Sequence, residues 1–133
     1  MASPGPSTAV RVLVVDDHAL FADTLRLFLA RDARIEVVGT AATGQEAIDL
    51  TLASHPDVVL MDVFMRGMDG LEATKRLRDA SPATHVIVLS GLAGDDIGTE
   101  ARAAGALGHL EKGNVHASLV DAVLRAADGQ PLA

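Results

Sequence analysis

Four consecutive apolar residues, Val58-Val59-Leu60-Met61, end on an acid, Asp62. A run of that length without polar alternation suits a strand buried on both faces. Such strands belong to parallel sheets covered by helices on each side. Open sheets of this class place their chemistry at the carboxyl ends of the strands. Asp62 therefore stands where a working residue is expected. A Met/Arg/Gly-rich loop follows, and Asp69 is of the residue type that caps a helix N-terminus.

The rest of the chain repeats this pattern. Residues 10–15 (VRVLVV) form a β-branched strand that stops at Asp16-Asp17. Residues 18–30 carry Leu20, Phe21, Leu25, Phe28 and Leu29 at helical spacing. Residues 35–41 read as a second strand and 44–54 as a second helix, with Pro56 as the break before the third strand. Residues 71–79 read as a helix with a charged outer face. Residues 85–90 (HVIVLS) are a fourth strand, and 95–104 a small-residue helix preceded by Gly91 and Gly94. Residues 106–110 are a short fifth strand. Asn114 is expected to cap a last helix running to about Asp128, ended by Gly129-Gln130-Pro131. Five strands alternating with five helices imply an α/β, doubly wound (βα)5 parallel sheet.

One domain suits 133 residues. Residues 1–9 are expected to be a flexible tail, 10–128 the domain, and 129–133 the start of a linker or tail. The tail lacks the basic and apolar regions of a signal peptide. A net charge of −7 speaks against a nucleic-acid surface on this chain. The absence of Cys excludes disulfides and thiolate metal sites and suits a reducing cytoplasm. No apolar run approaches the roughly 18 residues of a membrane span.

In a sheet ordered 2-1-3-4-5, strands one and three are neighbours, and a crevice opens between their carboxyl ends. Asp16, Asp17 and Asp62 then crowd together, which is costly unless a cation sits among them. Oxygen ligands without His or Cys in the loops suit Mg²⁺. His18, His55, His85, His109 and His116 are scattered, without metal spacing, and read as surface or half-buried residues. Ser90 and Lys112 fall at the same edge of the sheet. Carboxylates, a divalent ion, a hydroxyl and an ammonium make a phosphoryl site, with a carboxylate as nucleophile.

At these residues the chain resembles the receiver domain of two-component response regulators. The matching features are Asp16-Asp17 after VLVV, Asp62 in VVLMD, GMDG at 67–70, Ser90 after VIVL and GALGHLEK at 105–112. The DDH opening and GQEAIDL resemble the LuxR/NarL subgroup. The resemblance implies a flavodoxin-like fold and a bacterial phosphorelay role. Asp62 is then the phosphoacceptor for a sensor histidine kinase. Asp17, Asp62 and the backbone carbonyl of Phe64 hold Mg²⁺, with Asp16 acting mainly through water. Ser90 and Lys112 bind the phosphoryl group, and Ser90 and residue 109 form the switch. DNA binding would belong to a C-terminal helix-turn-helix outside this chain, and a homodimer is a further partner. Turnover would be limited to self-phosphorylation and self-dephosphorylation.

Several positions depart from the family pattern. Phe64 stands where a polar residue is frequent, and Arg66 where proline is expected. His109 takes the aromatic switch position, and Gly113 follows the lysine in place of proline. Phe64 is expected to shield the acyl phosphate from water, and His109 to make the switch titratable. Two other readings compete. A haloacid-dehalogenase-type phosphatase wants a second Asp two residues after the nucleophile, and that residue is Phe64. A phosphorylation-independent interaction module leaves the intact charged set without a purpose.

Overall fold

The computed structural model describes residues 9–91 and 95–132, with backbone only at 95 and 96. Residues 1–8 of the expected tail, Gly94 and the last residue of the expected linker lie outside the described residues. Five strands and five α-helices alternate. The strands are β1 (Val10–Val15), β2 (Ile35–Ala41), β3 (Val58–Asp62), β4 (His85–Ser90) and β5 (Gly108–Glu111). The helices are α1 (Ala19–Ala30), α2 (Gly44–Ser54), α3 (Gly70–Ala80), α4 (Asp95–Ala104) and α5 (Leu119–Ala127). The sheet is parallel, with strand order β2-β1-β3-β4-β5.

Alternation along the strands divides the core in two. Val12, Val14, Val58, Leu60, Ile87 and Leu89 face α1 and α5, where Leu25, Leu29, Leu119 and Val123 meet them. Leu13, Val15, Val59, Met61, Val86 and Val88 face the other side, against Ala47 of α2, Ala73 and Leu77 of α3 and Ala101 of α4. The central strands β1, β3 and β4 therefore carry nearly continuous apolar runs without polar alternation, whereas the edge strand β2 exposes Glu36 and Thr40. Met61 and Met65 are buried and Met68 packs against the second cluster, filling core and loop gaps as expected.

Helix starts follow local chemistry. Asp69 caps α3, its side chain accepting the Glu72 N–H at 2.8 Å. Thr43 caps α2 by accepting the Glu46 N–H at 3.0 Å. The outer face of α3, with Glu72, Lys75, Arg76, Arg78 and Asp79, is exposed as expected.

The C-terminal quarter departs from the expected elements. Strand β5 begins at Gly108, two residues late: Ala106 donates its N–H back to the Ala101 carbonyl of α4, and Leu107 makes the first bond to β4, at the Val86 carbonyl. Asn114 does not cap a helix. Residues Lys112–Ala117 form a 3-10 segment in which Asn114 has non-helical angles (φ −131°, ψ 23°), and α5 starts only at Leu119. The segment lowers Val115 into the first core cluster, and that burial outweighs the capping preference of Asn114. After α5, Gly129 turns with φ 75°, and Leu132 folds back to pack on Gly108, its N–H donating to the Leu107 carbonyl at 3.1 Å.

Candidate functional site

Every strand but β2 delivers a site residue at its carboxyl end. Asp16 and Asp17 follow β1, Asp62 ends β3, Ser90 ends β4 and Lys112 follows β5. Asp62 stands opposite Leu89 in the β3–β4 register, and Ser90 opposite Glu111 in the β4–β5 register. Ser90 is fully buried. The backbone under Asp62 is closely held. Gly70, the first residue of α3, donates its N–H to the Val63 carbonyl at 2.9 Å, and a Cβ at Gly70 would lie 2.0 Å from the Asp62 carbonyl oxygen. Only glycine lets the helix start that close to the strand end.

The charges meet around Lys112. Its Nζ lies 2.6 Å from Asp16 Oδ2 and 3.2 Å from Asp62 Oδ1. Asp16 and Asp62 are each 2% exposed. Asp17 sits higher, its Oδ2 accepting the Arg66 N–H at 3.2 Å with the guanidinium Nε 3.7 Å away. Burial pushes the Asp62 carboxyl above the ordinary carboxylate range, and the neighbouring Asp16 charge pushes it further. Lys112 and the Phe64 N–H pull it down by less.

Phe64 is 53% exposed and borders two clefts. One, of about 360 Å³, is lined by His18, Asp62, Phe64, Gly91 and Lys112. The other lies over Asp17, Met65, Arg66 and Asp69. His109 is not part of this pocket. It sits on β5 opposite Val88, with its ring against Gly98 of α4, where a Cβ would stand 3.1 Å from Nδ1.

Three residues matter here that motif reading passed over. His18 was to be a scattered surface histidine. It is exposed, but its Nδ1 lies 3.2 Å from Asp16 Oδ1 and 3.3 Å from Asp17 Oδ1, so a histidine does stand in the acidic loop. Its place directly after the acid pair was the available signal. Gly70 was visible only as the end of GMDG. Phe21 was read as an apolar residue of α1, and its ring lies under the Lys112 ammonium, 4.6 Å from Nζ to the centroid.

The structure brings together, at one edge of the sheet, the acid ending β3, the lysine after β5 and the acid after β1, with the lysine ion-paired to both acids. Comparison with known proteins agrees. Residues 12–124 match the family model described as the response regulator receiver domain. The chain belongs to that family. It is 40% identical over 122 residues to the transcriptional regulatory protein LiaR of Bacillus subtilis, covering 92% of this chain and 58% of LiaR. It is 39% identical to the response regulator GacA of Pseudomonas aeruginosa, covering 91% of this chain and 56% of GacA. The chain thus spans about half the length of the curated relatives it matches. The signal receiver domain of the response regulator NarL from Mycobacterium tuberculosis superposes with a TM-score of 0.86 at 37% identity, covering 92% of this chain and 98% of that one.

The chain is therefore a receiver domain of a two-component response regulator, flavodoxin-like in fold and with LuxR/NarL-like neighbours. Receiver domains are signalling modules that bind Mg²⁺ at an acidic cluster. The residues present fit such an ion. Asp16, Asp17, His18 and Asp62 each offer one ligand atom, all within 4.8 Å of one another. The buried Asp62 Oδ2 accepts no hydrogen bond, so an acceptor is left for a cation. Among the described residues, no helix is long and apolar enough to cross a membrane.

Proposed function

We propose that Asp62 accepts a phosphoryl group from the phosphohistidine of a sensor histidine kinase. One carboxylate oxygen forms the O–P bond as the P–N bond breaks, and the leaving imidazole takes a proton from water. Lys112 bridging Asp16 and Asp62 is the observation that carries this reading. That ammonium already stands where charge on the transferred group must be offset. Asp17, Asp62 and the Phe64 carbonyl would hold Mg²⁺, with Asp16 acting through water. The ion would neutralise the phosphoryl oxygens.

Ser90 binds a phosphoryl oxygen and, with His109, passes the change to the face made by α4, β5 and α5. The contact of the His109 ring with Gly98 of α4 supports that reading. Phe64 limits the approach of water to the acyl phosphate. A phosphoryl lifetime unchanged in Phe64→Asn would count against that role. The receiver expected over 10–128 extends to Leu132, which packs in the core and donates its N–H to Leu107, so residues 129–132 belong to the folded unit and not to a linker. The whole protein works in the cytoplasm and reaches DNA, as a homodimer, through a C-terminal domain. The chain's own net charge of −7 suits no nucleic acid. Phosphatase turnover is disfavoured, because Phe64 stands where the second acid would act. Its chemistry is limited to self-phosphorylation at Asp62 and hydrolysis of the acyl phosphate so formed.

The test is incubation with Mg²⁺ and acetyl phosphate, followed by intact mass. A gain of one phosphoryl group, absent in Asp62→Ala, is expected. An equal gain in Asp62→Ala, or none in the wild type, overturns the assignment.

A further inference from the structure

Lys112 sits at the weakly restrained start of a segment that becomes anchored only at Val115, in the core. Strand β5 ends at Glu111, and the 3-10 segment Lys112–Ala117 is interrupted at Asn114. Gly113 is exposed, and a Cβ there would meet nothing within 4 Å. Neither a side chain nor packing limits its backbone. Lysine adds a flexible four-carbon stem. Yet the ammonium is held within 3.2 Å of two acids, and the Lys112 side chain is only 17% exposed.

One face of α1 supplies the missing restraint. Phe21 and Phe28 are seven residues apart, two helical turns, and both lie against the Lys112–Ala117 segment. The Phe21 ring faces the Lys112 ammonium at 4.6 Å. Phe28 meets the ring of His116 edge-on, with centroids 4.8 Å apart and planes at 89°. The chain has three Phe and no Tyr or Trp, so most of its aromatic surface is spent on this contact.

We propose that Phe21 is a positioning residue for the reaction at Asp62. Its ring holds the Lys112 ammonium at the phosphoryl site, and the Phe28–His116 contact fixes the far end of the same segment. The inference rests on the reading of Asp62 as phosphoacceptor. An aromatic face attracts an ammonium through its quadrupole and is no rival acceptor for the strong hydrogen bonds. Lys112 has three N–H donors. Ion-paired with Asp16 and Asp62 at 2.6 and 3.2 Å, it keeps donor capacity for an arriving phosphoryl oxygen. When Asp62 becomes an acyl phosphate its carboxylate charge is lost, and the ammonium must turn toward the phosphoryl oxygens. Phe21 is an anchor that this exchange does not weaken.

The test compares the full chain with Phe21→Leu, Phe21→Tyr and the double variant Phe21→Leu/Gly113→Ala. NMR reads the ring-current shift of the Lys112 side-chain protons. Titration with beryllofluoride and Mg²⁺ reads affinity, and thermal melting reads the fold. In Phe21→Leu the upfield shift is lost and beryllofluoride binds about tenfold more weakly, while leucine fills the partly buried site and keeps the melting temperature. Phe21→Tyr keeps both shift and affinity. Gly113→Ala, by stiffening the segment, restores part of the affinity. Wild-type affinity in Phe21→Leu overturns the proposal, as does a loss in Phe21→Leu that Phe21→Tyr shares. If the wild type binds no beryllofluoride, the Asp62 reading fails instead. The ring-current shift then still decides whether Phe21 holds Lys112.

Discussion

Asp62 and Lys112 form one ion pair, but the fold holds them by opposite means. Asp62 ends a strand in which every residue is buried and which pairs with neighbours on both sides. The start of α3 closes on its carbonyl through Gly70. Lys112 follows a four-residue edge strand and enters a 3-10 segment through a glycine with open space around it. Its ammonium is located by side chains: Asp16, Asp62 and Phe21. The acceptor is set by backbone and the lysine by its neighbours. This suits the chemistry. A nucleophile must not move, whereas the group that meets a newly formed phosphoryl must turn toward it.

The contrast is broken most directly at Gly70. In Gly70→Ala the new methyl would meet the Asp62 carbonyl oxygen at 2.0 Å, where backbone and not a flexible side chain must yield. The cost is about 3 kcal/mol, or about 10 °C in thermal melting. A melting temperature near that of the wild type would show that α3 can slide off the strand end, and Asp62 would then not be backbone-locked.

A smaller effect comes from the charge of Asp62. Burial first, and Asp16 second, raise its folded carboxyl pKa above the unfolded value. The folded protein therefore keeps a proton where the unfolded chain has lost it. The resulting stability is fully present below the ordinary carboxylate pKa and is lost as pH rises through the raised one. In chelator, the wild type should lose stability over that window, and Asp62→Asn should not. Near neutral pH the variant should be about 1–2 kcal/mol more stable, since a buried negative charge beside Asp16 is removed. Parallel melting curves across the pH series would mean that Lys112 fully offsets the acid pair.

The same division decides what could be read from sequence. Strands β1, β3 and β4 were legible because a central strand covered on both sides carries a nearly continuous apolar run. Asp16, Asp17, Asp62, Ser90 and Lys112 were legible because each sits at a strand end, a place that local pattern marks. The backbone-held half of the site is thus written locally. What holds Lys112 in place is not. Phe21 reads as one more apolar residue of α1, and no spacing connects it to Lys112. The 3-10 segment escaped because burial of Val115, a tertiary event, overrides a capping residue at Asn114. His18 was set aside as scattered, although the fold turns its ring back onto the acid pair.

The smallest effect sharpens the contrast most, because it applies the same change to the other end of the pair. Gly113 has helical angles within its segment and is not among the residues with positive φ. Gly113→Ala therefore adds a methyl into open space without strain and removes conformational freedom from the unfolded chain. That should stabilise the fold by about 0.5 kcal/mol, raising the melting temperature by a degree or two. Gly70→Ala and Gly113→Ala, identical in chemistry, should thus differ in sign. Beryllofluoride affinity in the single variant Gly113→Ala should stay at the wild-type level, because with Phe21 in place the ammonium is already located. A gain in affinity would mean that the backbone after Lys112 still limits the site. A loss of stability would mean that the segment packs more tightly than its open surroundings suggest, and the two ends of the ion pair would be held alike.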